Sequence, residues 1–133
     1  MSCHCVIYIQ SCNIETIIES LLEEKYNLFQ NYHVRSCNIK EDNMVLEFEM
    51  PWIVNNEFIL GFLNTELFQI SFANLWFECS PMFGKIKYMK EMGTICSDFK
   101  ITHRAPSLCT NVEIKRWLID HNHEDFLMVW KSS

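Results

Sequence analysis

Glycine and proline are scarce in this chain, which has three of each among 133 residues. Flexible linkers and low-complexity segments are usually rich in these residues, so we expect neither here. No internal repeat is visible, which excludes a solenoid. The hydrophobic share of 49% and the aromatic share of 14% are typical of a folded protein. One domain spanning residues 1–133 is therefore predicted.

Long hydrophobic runs are also missing. No stretch reaches the roughly 18 apolar residues that a membrane-spanning helix requires, so no membrane partner is predicted. Residues 1–12 lack a basic start and a small-residue cleavage site, and we therefore expect no signal peptide. The seven cysteines are an odd number and contain no CxxC pair. Without an export signal, they are predicted to be free thiols in a reducing cytoplasm.

Recognisable catalytic motifs are absent as well. The chain has no Gly-rich phosphate loop, no GxSxG and no HExxH. Cys3-His4-Cys5 offers soft metal ligands, but neighbouring residues of a strand point to opposite faces of the sheet. A frayed or edge strand at the start of the chain is therefore favoured over a metal site.

A second polar cluster lies near the C-terminus. It combines His121 and His123 with Glu124 and Asp125, and such a group can hold a metal or act as acid and base. A polar turn in solvent is the more common role of a short cluster of this kind. The sequence therefore predicts no catalytic residue, no metal site and no cofactor.

Hydrophobic periodicity predicts an α+β fold. Apolar residues recur at helical spacing over 14–26, after Asn13 as a candidate N-cap. Strands are predicted at 33–40, 44–50, 66–79, 95–104 and 126–130, with a turn at 41–43. Residues 52–63 are predicted to form a loop with a short strand, 82–93 a short helix or an exposed loop, and 112–119 a strand or a helix. The result is an N-terminal helix packed on a mostly antiparallel sheet of five to seven strands.

The 44–50 strand shows the clearest alternation of the chain. Leu46 and Phe48 fall on one face, which is predicted to be the core, while Glu47 and Glu49 fall on the other. The period of two therefore predicts that both glutamates are exposed to solvent.

The charge of the chain is unevenly distributed. Residues 1–80 carry a net charge of −8 and residues 81–133 a net charge of +2. A strongly acidic region without a recognisable catalytic motif indicates a protein that binds basic protein surfaces rather than an enzyme. The negative charge also disfavours nucleic acid as a partner. The candidate partner-binding residues are the acidic side chains of the first hairpin and of the C-terminal turn: Glu41, Asp42, Glu47, Glu49, Asp120, Glu124 and Asp125.

Two segments resemble those of a known family. The stretch at 26–50, a Phe-containing segment followed by a strand, a turn and an alternating strand, resembles the opening of small bacterial toxin-immunity proteins of polymorphic-toxin and contact-dependent inhibition systems. The hydrophobic run at 65–79 resembles their next core strand. The resemblance implies a cytoplasmic protein that binds a cognate toxin domain, often a basic nuclease, and neutralises it inside the producing cell.

Two alternatives to an immunity protein stay open at this stage. One is a small metal-dependent enzyme that uses the cluster at 121–125. The other is a structural or adaptor subunit whose aromatic surface mediates assembly. The sequence leaves the toxin and the oligomeric state open.

Overall fold

The computed structural model describes residues 2–22, 32–51, 54–79, 82–103 and 119. Within these ranges the chain forms two α-helices and a six-stranded antiparallel sheet, which confirms the α+β class. The elements are β1 (Ser2–Ser11), α1 (Ile14–Leu22), β2 (His33–Lys40), β3 (Asn43–Pro51), α2 (Asn56–Leu63), a 3-10 turn (Glu66–Phe68), β4 (Ile70–Cys79), β5 (Met82–Glu91) and β6 (Thr94–His103). The element predicted at 112–119, apart from Ile119, and the strand predicted at 126–130 lie outside the described residues.

The first strand occupies the centre of the sheet. The strand order is β2-β3-β1-β4-β5-β6, so β1 pairs with β3 on one side and with β4 on the other. The helix predicted at 14–26 is present as α1, but β1 precedes it, so it is not the first element of the fold. The prediction of an edge strand at the start is wrong, because that strand is central. Consecutive β1 residues from Cys5 to Ile9 are all buried. A strand buried on both faces has no alternation of polar and apolar residues, and this hid the central position of β1 in the sequence.

One face of the sheet, here called the first face, carries the main core. Ile7 of β1, Phe48 of β3 and Leu75 of β4 are buried there. Both helices pack on this face and contribute Ile14, Ile17, Leu21, Ile59, Phe62 and Leu63 to the same cluster. The face predicted for Leu46 and Phe48 is thus the core face, and both residues are fully buried.

The opposite face, here called the second face, is also buried near its centre. Val6, Tyr8, Val45 and Trp76 are each at most 1% exposed. The Lys85 ammonium lies 5.2 Å from the centre of the Trp76 ring, within the range of a cation–π contact. The centre of the second face is therefore shielded from water, and a polar side chain that lies on this face, such as Glu47, is buried as well.

Two segments differ from the elements predicted for them, which are a loop with a short strand at 52–63 and a short helix or an exposed loop at 82–93. Residues 56–63 form the helix α2, which is capped by the Asn55 side chain accepting from the Phe58 amide at 3.1 Å. Residues 82–91 form the strand β5, which turns into β6 through Met92 and Gly93 with φ of 52° and 84°. Positive φ at both central residues is the requirement of a type I′ hairpin turn.

The cysteines are not all free. Cys3 is disulfide-bonded, and the side chain of its partner lies outside the described side chains. Cys5, Cys12, Cys37 and Cys96 are free thiols. The prediction of seven free thiols is therefore wrong. That prediction depends on the missing export signal, whereas a disulfide bond forms where the fold brings two cysteines close together.

Candidate partner-binding surface

One end of the sheet brings together ends of all six strands. Gln10 lies opposite Asn43, Ser11 opposite Ile70, and Glu91 opposite Thr94, so the ends of β1, β2 and β5 meet the starts of β3, β4 and β6. We call this surface the turn end and define it as residues 11–15, 40–43, 64–70 and 90–94. With strands about 4.8 Å apart, a six-stranded sheet makes this end about 24 Å wide.

Hydrogen bonds hold the segments of the turn end together. The Ser11 amide donates to the Asp42 carbonyl at 2.9 Å, and the Asn13 side chain donates to the Leu67 carbonyl at 2.6 Å. The Ser11 hydroxyl donates to the Phe68 carbonyl. These bonds connect the first hairpin, the β1–α1 junction and the 3-10 turn. A partner that binds here therefore meets a surface that is already ordered, which lowers the entropic cost of association.

The side chain of Asn64 connects two further segments of the turn end, the end of α2 and the start of β6. Asn64 follows α2, and its Oδ1 accepts from the Ile95 amide at 2.8 Å while its Nδ2 donates to the Ile95 carbonyl at 3.1 Å. An asparagine that both donates to and accepts from one backbone residue connects the end of α2 to the start of β6.

Acidic side chains dominate the charge of the turn end. Five exposed carboxylates lie there, against the two lysines Lys40 and Lys90. The carboxylates are Glu15, Glu41, Asp42, Glu66 and Glu91. Because all five are exposed, the excess of negative charge acts on molecules in solution rather than on the core.

A groove lies between the 3-10 turn and the β5–β6 hairpin. Its volume is about 350 Å³. Its lining is mostly polar, with Asn64, Thr65, Glu66, Gln69 and Lys90, while its apolar members Leu63, Ile70 and Ile95 are each at most 3% exposed. Two large apolar side chains of the turn end are exposed to solvent, Leu67 at 68% and Met92 at 104%. The turn end therefore combines negative charge with apolar surface.

The backbone of the turn end contains left-handed residues. Among the described residues, Glu41, Gln69 and Met92 are the three non-glycine residues with positive φ, at 52°, 47° and 52°. All three lie at this end, and each such residue costs of order 1 kcal/mol or more. The tight connections that bring these segments together explain this conformation.

Two of the predicted partner-binding residues are used inside the chain. Glu47 is 6% exposed; its Oε2 lies 2.5 Å from Nε2 of His4, and its Oε1 accepts from the Ser36 hydroxyl at 3.2 Å. Glu49 pairs with Arg35, with 2.6 Å between its Oε1 and Nη2 of the arginine. The expectation that Glu47 is exposed is wrong, because the second face of the sheet is buried as well as the first.

The other predicted residues separate into two groups. Glu41 and Asp42 are exposed at the hairpin turn, as the sequence predicted. Asp120, Glu124 and Asp125, together with His121 and His123, lie outside the described residues, so the metal-enzyme alternative stays a prediction. Within the described ranges, no group of three His, Cys, Asp or Glu side chains is placed to hold a metal ion.

Sequence reasoning did not bring Glu15, Glu66 and Glu91 to the same surface as Glu41. It also missed Leu67 and Met92, because a single exposed hydrophobic residue leaves no periodic pattern. The Met92-Gly93 pair carried a usable signal, since a glycine between two apolar strands indicates a hairpin.

The described helices include none that is long and apolar enough to cross a membrane. The chain matches no family model, no curated protein and no solved structure. The resemblance to toxin-immunity proteins therefore stays a prediction that comes from the sequence.

Proposed function

We propose that this chain is an immunity protein that binds a basic bacterial toxin domain and neutralises it without catalysis. The observation that carries the proposal is the turn end, where five exposed carboxylates share one surface with only two lysines. The hairpin residues Glu41 and Asp42 belong to this surface. Glu47 and Glu49 are assigned a structural role instead, because their carboxylates contact His4 and Arg35.

The mechanism requires only association. The acidic surface attracts a basic domain and raises the rate of encounter, and short-range contacts then hold the complex. The buried Cys5 thiol does not suggest a nucleophile, since burial raises its pKa and keeps it protonated. Blocking the substrate surface of a toxin needs no reactive group on the inhibitor.

The proposed location is the cytoplasm of the producing cell, where a nuclease toxin finds its substrate. Four described cysteines are free, as is usual in a reducing compartment. The disulfide of Cys3 is more typical of an oxidising compartment. The oxidation state of Cys3 in cells, measured by alkylation before lysis, tests the location: a largely reduced Cys3 supports the cytoplasm, and a fully oxidised one contradicts it.

The test of the docking surface is a double charge reversal, Glu41→Lys with Asp42→Lys. The partner is the cognate toxin domain, identified by cross-linking in the native cell and mass spectrometry. At an ionic strength of about 0.1 M the association rate should fall about tenfold, and its salt dependence should flatten, because steering by these charges is lost.

The matched control is Glu57→Lys with Asp98→Lys. Both residues are exposed, both lie away from the turn end, and the net charge changes by the same amount. Its association rate should stay within about threefold of the native rate, because distant charges are largely screened. Equal effects of the two double variants would mean that the turn end is not the docking surface.

A further inference from the structure

Cys3 is disulfide-bonded, and few cysteines can be its partner. Four of the other six cysteines are free thiols: Cys5, Cys12, Cys37 and Cys96. Within one chain, the bond therefore joins Cys3 either to Cys79 or to Cys109.

The pairing of β1 with β4 distinguishes the two candidates. In this antiparallel ladder His4 lies opposite Glu78. The next position brings Cys3 opposite Cys79, which is the last residue of β4. Opposed residues of antiparallel strands have Cα atoms about 4.5–5.5 Å apart, and disulfide bonds span Cα separations of about 4.4–6.8 Å.

The two positions also share a face of the sheet. Cys3 is fully buried in the core cluster of the first face. Phe77 of β4 belongs to the same cluster, and residues two apart on a strand lie on the same face, which places position 79 on the first face. Two cysteines at opposed positions on one face meet the distance that a disulfide bond requires.

We infer that Cys79 is the partner of Cys3, so that a cross-strand disulfide links β1 to β4 at the end of the sheet away from the turn end. Its formation joins the two sulfur atoms and removes one hydrogen from each thiol. The oxidant is a small-molecule disulfide such as oxidised glutathione, whose sulfur–sulfur bond breaks as it takes up two electrons and two protons and becomes two thiols.

A third cysteine lies beside this link. Sγ of Cys5 is 3.9 Å from Sγ of Cys3. Transfer of the link to Cys5 requires its thiolate as the attacking group. Burial, and to a smaller extent the charge of Glu49, raises the pKa of the Cys5 thiol and keeps it protonated. The link therefore remains between the two strands.

The experiment first maps the link in the native chain. The chain is refolded with reduced and oxidised glutathione and denatured. Its free thiols are then blocked with iodoacetamide, and it is cleaved with trypsin without reductant. Trypsin places Cys3, Cys79 and Cys109 in separate peptides, 1–25, 41–85 and 105–115. Mass spectrometry should find 1–25 linked to 41–85, whereas a link to 105–115, or no linked pair, overturns the inference.

Thiol counts of variants refolded in the same way locate both ends of the link. The denatured native chain should have five free thiols. Cys3→Ser and Cys79→Ser should each give six, because the loss of either partner frees the other. The controls Cys109→Ser and Cys5→Ser should each give four, because the link survives and one free thiol is removed.

The controls also identify the competing pairs. Six thiols in Cys109→Ser with four in Cys79→Ser would show that Cys109 is the partner and overturn the inference. Six thiols in Cys5→Ser with four in Cys79→Ser would do the same in favour of a link that uses Cys5. A Cys79→Ser chain that fails to fold also gives six thiols, and the peptide map of the native chain then decides, because it requires no variant.

Discussion

Glu47 provides the sharpest test of the fold, because the structure and the alternation of the sequence predict opposite results. As an exposed residue it should tolerate Glu47→Ala at a cost below about 0.5 kcal/mol. In the structure it is 6% exposed, and its two carboxylate oxygens contact His4 and Ser36. The substitution removes both contacts and leaves the half-buried side chains of His4 and Ser36 without this acceptor.

The size of the effect follows from these contacts. A hydrogen bond that involves a charged group contributes about 1.5–3 kcal/mol, and a neutral one such as that from Ser36 contributes about 0.5–1.5 kcal/mol. We expect Glu47→Ala to lower the free energy of unfolding by about 2–4 kcal/mol. Glu47→Gln keeps the shape and one acceptor, so it should cost less.

The assay is urea unfolding followed by tryptophan fluorescence, since the chain has four tryptophans. Asp98→Ala is the control, because Asp98 is an exposed carboxylate on the same sheet, and it should change the free energy of unfolding by less than about 0.5 kcal/mol. A Glu47→Ala variant as stable as the Asp98→Ala variant would refute the buried second face.

Three further predictions concern stability, thiols and pH. Phe48 is fully buried, so Phe48→Ala should cost about 3–5 kcal/mol in urea unfolding, and a cost below 1 kcal/mol would contradict its place in the core. Thiol titration of chain denatured without reductant should find five free thiols, since one disulfide at Cys3 uses two of seven cysteines; seven thiols would contradict the disulfide. Burial raises the pKa of the Tyr8 and Tyr88 phenols above 10.0. The folded state then keeps protons that the unfolded state releases, so the free energy of unfolding should fall as the pH rises above about 10. This fall should be smaller in Tyr8→Phe and Tyr88→Phe.

The sequence was most informative where one face of an element is polar. The 33–40 and 44–50 strands, the turn between them and the start of the first helix follow the predicted spans, because alternation and helical spacing are visible there. The strand predicted at 95–104 is found at Thr94–His103. The strand predicted at 66–79 begins only at Ile70 in the structure. It follows a 3-10 turn and Gln69, whose backbone is left-handed.

The failures have a shared physical cause. β1 is buried on both faces, and β3 is buried on its second face as well as on its first. The alternation of polar and apolar residues therefore does not show which face of these strands is exposed. Glu47 looks like a solvent residue in the pattern, but its carboxylate is satisfied by His4, which is 43 positions away in sequence. α2 was missed because Gly61 and two asparagines interrupt an apolar stretch, whereas Asn55 acts as the helix cap.

The candidate surface was predicted only in part. Glu41 and Asp42 follow from the turn residues of the first hairpin. Their grouping with Glu66 and Glu91 depends on the order of the strands, since these residues are 25 and 50 positions away from Glu41. No local pattern contains that information.

The most direct test of the central claim is a measurement of toxin activity in the presence of this chain. The toxin domain captured from the native cell is purified, and its activity is followed while the chain is added in increasing amounts. Inhibition should be complete near one equivalent, and the Glu41→Lys, Asp42→Lys variant should require a large excess. A toxin that stays fully active with excess native chain would contradict the immunity function, and equal inhibition by native chain and variant would contradict docking at the turn end.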